Sequence, residues 1–462
     1  MSQTTIVALK AIVGDAHVKT DPADLEIWGQ DWTRFFRPAP LAIILPKTIE
    51  EVQAIVRFAN EAGLALVPSG GRTGLSGGAV AENGELVVSF DRMNRIRDFH
   101  PVDRTVVCEA GVVTAQLQAF AREKELFYPV DFASAGSSQI GGNIATNAGG
   151  INVIKYGMTR DWVAGLRVVT GSGELMNLNA GLVKNNTGYD FRHLFVGSEG
   201  TLGLIVEATM RLTTPPAEQT VMVLGVNNFA DMMEILRRFR ADLSLTAFEF
   251  FSDEALQYVM KHRDKRRPLD EVCPYYALIE FEHLHASTED QALAALEDCM
   301  AQGWVVDGVM SQSLAQRAGL WESREGISES ITYRTPHKND IAVVTSKVPD
   351  FLADIEAVVK AHYPDFEIIW FGHIGDGNLH LNILCPEGMD KAAFLKGCKT
   401  VNRFVYDIVR KYEGSVSAEH GIGLLKKDSL MYTRSEAEMA VMRSIRKAFD
   451  PNGIMNPGKI FD

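Results

Sequence analysis

Cysteine is scarce and unpatterned. The chain of 462 residues has five, Cys108, Cys273, Cys299, Cys385 and Cys398. The count is odd and no two stand in a C-x-x-C, which argues against a disulfide framework, an iron–sulfur centre and a c-type haem. The cytoplasm is then the natural compartment. No apolar run approaches the ~18 residues of a transmembrane helix, although peripheral membrane attachment stays open. Residues 1–20 show no apolar stretch behind a basic start, so no secretory signal is expected. Positive charge is in deficit: 46 Lys and Arg face 59 Asp and Glu, a formal net charge of −13. That speaks against a nucleic-acid partner or an anionic bilayer. No G-x-G-x-x-G follows a strand, which removes support for a nicotinamide Rossmann site, and the first glycine loop lacks the lysine of a P-loop. Internal repeats and low-complexity segments are absent.

What is present is a large globular core, with 46% hydrophobic residues and a length that suggests about three domains. Apolar residues at helical spacing mark Thr4 to Val13 and Ile49 to Ala62. Thr48 and the Glu50-Glu51 pair suit the start of the second helix, through capping and the helix dipole. Leu41 to Leu45 and Leu64 to Val67 read as strands around it, a βαβ-like unit. Further strands are expected at 86–90, 105–109 and 168–170, and a helix at 114–124. Thr213-Thr214-Pro215-Pro216-Ala217-Glu218 is the best linker, since paired prolines break helix and strand alike. Strands and helices then restart, with strands at 221–226, 245–251, 275–281 and 366–371 and helices at 229–241, 289–302 and 351–362. Amphipathic helices follow at 392–412 and 435–449, and the tail from Asp450 is turn chemistry.

Three glycine-rich blocks dominate the first half: Val67-Pro68-Ser69-Gly70-Gly71-Arg72-Thr73-Gly74-Leu75-Ser76-Gly77-Gly78, then Gly136 to Gly157, then Gly197 to Gly203. Glycine admits positive φ and lets backbone N–H groups crowd an anion such as a pyrophosphate. Ordinary turns are the bland alternative, and for one loop alone they would be preferred. Small residues also let a backbone lie flat against a planar ring, with Ser138, Thr146 and Asn147 offering hydrogen bonds to its edge. Gly74 to Gly78 formally matches the G-x-S-x-G nucleophile elbow, but 79–84 offers no helix to follow it.

In order and wording these blocks resemble the PCMH-type (vanillyl-alcohol-oxidase-like) FAD-binding domain. The resemblance covers nearly the whole chain, including the ending Pro451-Asn452-Gly453-Ile454-Met455-Asn456-Pro457-Gly458-Lys459. It implies an α+β fold: an FAD-binding domain of two α+β subdomains over 1–215, an α+β substrate (cap) domain over 216–400, and a C-terminal helical segment over 401–462. The FAD contacts it implies are Pro68, Ser69, Gly70, Gly71, Arg72, Thr73, Gly74, Ser76 and Gly77 from the first block. The second block adds Gly136, Ser137, Ser138, Gly141, Gly142, Thr146, Asn147, Gly149, Gly150 and Gly157, and the rest are Glu199, Gly200, Ile205 and Asn456. Some members attach FAD to a histidine in the first loop; Arg72 and the lack of a histidine there imply non-covalent FAD.

The second decisive stretch is Gly372-His373-Ile374-Gly375-Asp376-Gly377-Asn378-Leu379-His380-Leu381-Asn382, followed later by Glu419-His420-Gly421. Glycines on both sides of Asp376 make a tight turn that can bring His373 and His380 together. With Glu419 they form a His₂Glu set suited to an open divalent site; two core histidines and a surface glutamate are the bland alternative. The stretch resembles the flavin-dependent D-2-hydroxyacid dehydrogenases, in which these positions bind zinc or a similar ion and His420 matches the catalytic base. Arg324 and Lys338 match positions that hold the substrate carboxylate in the 2-hydroxyglutarate subgroup, and Ser328 and Asn382 join the implied substrate contacts. Arg334 is as well read as part of a solvated face.

The resemblance therefore implies oxidation of a 2-hydroxy diacid, foremost D-2-hydroxyglutarate, with D-malate a further candidate. Two cations beyond the α-hydroxyacid site would be superfluous for lactate and would lie unpaired without a second carboxylate. D-lactate dehydrogenase and a glycolate oxidase FAD subunit share most of the motifs. A non-catalytic flavin relay subunit would not need His373, His380, Glu419 and His420 together. Electrons must leave the chain, to an acceptor such as an electron-transfer flavoprotein or a quinone. A homodimer stays open.

Overall fold

Thr48 opens the helix Ile49–Ala62 by accepting a hydrogen bond from the Glu51 amide at 3.2 Å, and Gly63 closes it in the left-handed region at φ 64°. Ile49, Val52, Ile55, Val56 and Ala59 form its buried stripe, the spacing that puts one helix face on a core. In this computed structural model, which describes residues 2–33 and 35–461, the helix joins strand Ala42–Ile44 to strand Leu66–Ser69. Strand Leu86–Ser89 lies between the two and is parallel to both. The βαβ unit is thus opened by a strand from further along the chain, and the short edge strand Val18–Lys19 completes a four-stranded sheet.

The chain forms two compact units. The first comprises Met1–Gly150, Gly157–Pro215 and Glu419–Asp462; the second Ile151–Tyr156 and Pro216–Ala418. The stretch 401–462, read from sequence as a segment of its own, is divided. Helix Lys391–Lys411 belongs to the second unit, and residues from Glu419 join the first. The physical reason is pairing. The Leu66 amide donates to Ile454 O at 2.8 Å, the Asn456 amide donates to Leu66 O at 2.8 Å, and Met455 is fully buried in the core of the four-stranded sheet.

Beside that sheet the first unit holds an antiparallel five-stranded one, in the order Ile96–His100, Thr105–Glu109, Gly203–Arg211, Val163–Thr170, Leu175–Leu178. The strand expected at 168–170 is longer, and it starts at Val163. The second glycine block is not one loop. It contains the helix Ile140–Thr146, where a Cβ on Gly141 would stand 2.7 Å from Ala110 Cβ. That glycine serves close packing of a helix rather than a turn.

The second unit is built on a seven-stranded antiparallel sheet. Its order is Asp307–Met310, Gln219–Val226, Tyr275–Glu282, Ser244–Ser252, Ile368–Gly372, Asn378–Ile383, His337–Ala342. Alternation assigns the side chains to two faces. On one, Val221, Val223, Leu278, Phe251, Ile369 and Phe371 pack with Leu320 and Trp321 of helix Leu314–Glu325 and with Ile327 and Ile331 beyond it. On the other, Met222, Leu224, Ile279, Phe248, Phe250, Leu379 and Leu381 are buried too. A sheet covered on both sides explains why its strands read as near-continuous apolar runs. Among the described residues no helix is long and apolar enough to cross a membrane.

Candidate active site

The glycine loops of the first unit line one cavity, with about 950 Å³ of space within and in front of it. Pro68, Gly70, Gly71, Arg72, Thr73, Gly74 and Ser76 come from the first block, Gly141, Gly142 and Thr146 from the second, and Glu199, Gly200 and Ile205 from the third region. The backbones leave no slack. A Cβ on Gly71 would stand 2.2 Å from Ser137 O, and one on Gly200, at φ +74°, 2.4 Å from Pro68 Cγ. This is a cradle that side chains would fill, and its glycine backbone suits a dinucleotide with a ring system.

The other expected FAD contacts stand behind the lining or support it. Ser69 Oγ accepts from Arg72, and the Gly77 amide donates to Asp31 at 2.8 Å. Ser137 backs onto Gly71. Ser138 Oγ lies 2.7 Å from Thr114 Oγ1 in a buried network that Asn143 extends. Asn147 ends the helix at φ 51°, and its side-chain oxygen accepts from the Arg160 amide. Asn456 donates to Gly78 O and Glu199 O. The Gly150 amide donates to Glu419 Oε1 at 2.9 Å, and Gly157 turns at φ 72°. Gly136 and Gly149 do not line the cavity.

Residues that the sequence reading missed include Asp31, Phe90, Gln139, Asn143 and Leu204, all in the lining. Asp31 is the least legible, a lone carboxyl far upstream. It accepts from the Gly77 amide and from the amide and hydroxyl of Thr33, and burial raises its pKa. Glu199 is likewise spent on backbone: it accepts from the amides of Ile422 and Gly423 at 2.7 and 2.8 Å while burial raises its pKa. Both carboxyls thus shape loops, which removes much of the conflict with an anionic ligand. Arg72 is held in the left-handed region at φ 59°, donates to Gly70 O at 2.8 Å and lies 3.5 Å from Asp91. His420 lines the same cavity, and Ser76 Oγ donates to its carbonyl at 2.8 Å.

In the second unit the histidine motif is a β-hairpin, strands Ile368–Gly372 and Asn378–Ile383. Its turn sets the His373 and His380 ring centroids 5.3 Å apart. Strand His337–Ala342, which the sequence reading left without an element, pairs along it. Register places two rows of side chains on one face, Phe371–His380–Asp340 and Ile369–Asn382–Lys338. Lys338 Nζ donates to Ser328 Oγ at 2.9 Å and has no ion pair among the described residues. It remains solvent-reachable inside a crowded recess, and that crowding lowers its pKa. Asn382 is buried, its amide donating to His380 O at 3.3 Å. Arg334 is engaged elsewhere, with Glu367 at 2.6 Å and the Tyr258 hydroxyl at 2.6 Å.

Arg324 has a neighbour that the sequence does not announce. Its guanidinium lies 2.9 Å from the Glu249 carboxylate and 4.7 Å from the Phe371 ring centroid, while its Nε and Nη2 keep no hydrogen-bond partner. Glu249 also receives His373 Nδ1 at 2.8 Å. Nothing near residue 249 in the sequence signals this, since Glu249 sits in the aromatic run of a strand.

Residues 40–179 match an FAD binding domain, and residues 215–460 match the C-terminal domain of FAD-linked oxidases. A D-2-hydroxyglutarate dehydrogenase of Stutzerimonas stutzeri is 61% identical over 98% of this chain and 98% of its own. The chain belongs to the FAD-linked D-2-hydroxyglutarate dehydrogenases. A second relative of that name, from Xanthomonas citri pv. viticola, is 54% identical over 100% of this chain and 98% of its own. Among solved structures, 4-ethylphenol oxidase from Gulosibacter chungangensis shares the fold, with a TM-score of 0.78, 17% identity, and coverage of 99% of this chain and 97% of that one. FAD as cofactor and the α+β, PCMH-type architecture follow from this membership.

Proposed function

We propose that the chain oxidises D-2-hydroxyglutarate to its 2-oxoacid, using non-covalently bound FAD and a divalent cation, zinc in this reading. The family carries the substrate. One observation in the second unit favours the metal: two histidine rings stand edge to face with centroids 5.3 Å apart, and His373 Nδ1 lies 2.8 Å from the Glu249 carboxylate. That donor pattern fits a metal-ligating imidazole, whose second nitrogen typically donates to a carboxylate. By the family resemblance, His373, His380 and Glu419 would hold the ion. When bound, the ion would polarise the 2-hydroxyl and lower its pKa. FAD, when bound, supplies the hydride acceptor.

The chain's own residues do the rest. His420, in the lining of the FAD cavity, takes the hydroxyl proton as the C2 hydride departs with its electron pair, a role a neutral imidazole suits. Lys338 and Ser328 receive the far carboxylate, and Asn382 orients the substrate from the neighbouring strand. Arg324, whose Nε and Nη2 have no hydrogen-bond partner, joins them at that carboxylate. The two electrons then pass to an external acceptor of the electron-transfer flavoprotein or quinone kind. The cytoplasm is the proposed compartment, in keeping with five buried, unpaired cysteines.

Anaerobic mixing with D-2-hydroxyglutarate should bleach the flavin. Chelation should abolish bleaching while FAD stays bound, and zinc, cobalt or manganese should restore it. Faster bleaching by D-lactate would sink the diacid reading; full activity in protein shown by elemental analysis to be metal-free would sink the metal. Acid precipitation should leave the yellow colour in the supernatant.

A further inference from the structure

We infer that Glu249 is a positioning residue that sets the His373 tautomer. The inference rests on the metal reading above. Glu249 stands on strand Ser244–Ser252 and is 1% exposed. A carboxylate in that place would be costly to keep charged without a counter-ion. Arg324, itself buried, lies 2.9 Å away and supplies one. Beside a guanidinium, the Glu249 oxygens stand as acceptors. The 2.8 Å contact therefore puts the imidazole proton on His373 Nδ1, and Nε2 keeps its lone pair for an ion.

The order of dependence runs Arg324 to Glu249 to His373. Arg324 acts here as the counter-charge of the positioning group, which accounts for a buried arginine facing a buried glutamate beside an aromatic ring. Glu249 also makes His373 a better ligand, because a hydrogen bond from Nδ1–H to an anion raises the basicity of the other nitrogen. A purely structural ion pair between Glu249 and Arg324 would leave metal affinity untouched, so the two roles separate by experiment.

The test uses FAD-loaded wild type, Glu249→Gln and Glu249→Leu, with zinc affinity measured by competition against a chromophoric chelator. The Gln variant keeps an acceptor for Nδ1–H but loses the charge, and should bind zinc roughly 10-fold more weakly. The Leu variant loses both and should approach roughly 100-fold. Equal affinity in all three overturns the inference and leaves the metal reading standing. A wild type that binds no zinc overturns both. Should neither variant fold, the wild type alone decides. After chelation, with ¹⁵N-labelled histidine and His373→Asn for assignment, His373 should show the Nδ1–H tautomer by NMR. An Nε2–H tautomer overturns the inference.

Discussion

Lys338→Met is the substitution that weighs the diacid reading most directly. The Lys338 ammonium is bonded to Ser328 Oγ at 2.9 Å, has no ion pair among the described residues, and can be reached from solvent. A substrate carboxylate there gains a charge-assisted hydrogen bond, worth about 1.5–3 kcal/mol. Methionine keeps the length and removes the charge, so kcat/KM for D-2-hydroxyglutarate should fall roughly 10- to 150-fold. D-lactate ends in a methyl group and should lose little. The pH profile gives a second handle. Crowding holds the Lys338 pKa below the ordinary lysine value of 10.5, so its charge is present at low pH and fades as pH rises through that lowered value. The diacid should therefore show an alkaline limb in kcat/KM that D-lactate lacks, and Lys338→Arg should move that limb upward. Anaerobic stopped-flow bleaching of the flavin by both substrates, across pH, makes the measurement. An equal loss for the two substrates would refute the reasoning.

Other residues give separate handles. Gly71→Ala would drive a Cβ to 2.2 Å from Ser137 O; overpacking of this kind costs about 1–3 kcal/mol, and the purified variant should be largely free of flavin by its visible spectrum, so full FAD occupancy would contradict the cradle. His420→Asn should slow flavin reduction roughly 10²- to 10⁴-fold while zinc content holds; an unchanged rate removes His420 from the chemistry. Lys459 is buried, donates to Val80 O at 2.6 Å, and burial brings its pKa from 10.5 down to about 8. Between those values the unfolded chain binds more proton than the folded one, so the stability due to this group rises with pH. Denaturant titrations should show wild type gaining about 3 kcal/mol on Lys459→Met from below pH 8 to above pH 10.5, and a pH-independent difference would show that Lys459 is not neutralised.

Local pattern made much of this legible in the sequence. The helix Ile49–Ala62 was written in its cap, its early carboxylates and its apolar stripe. The glycine loops were written in their spacing, and the histidine turn in Gly375 and Gly377. Such features depend on residues within a few positions of one another, where backbone sterics and hydrogen bonding act without help. The helix inside the second glycine block was not legible, because Gly141 and Gly142 lower helix propensity and only packing against Ala110 gives Gly141 a reason.

The sequence by itself determined the cofactor class, the fold class and the histidine motif. Only the tertiary structure decided which charges meet. Asp31 binds the Gly77 amide, Glu199 ties the loop after His420, and Glu249 stands between Arg324 and His373. The physical reason is that a buried charge is settled by whichever partner the fold brings within hydrogen-bond distance. Strand register and helix packing choose that partner, and no spacing along the chain encodes it.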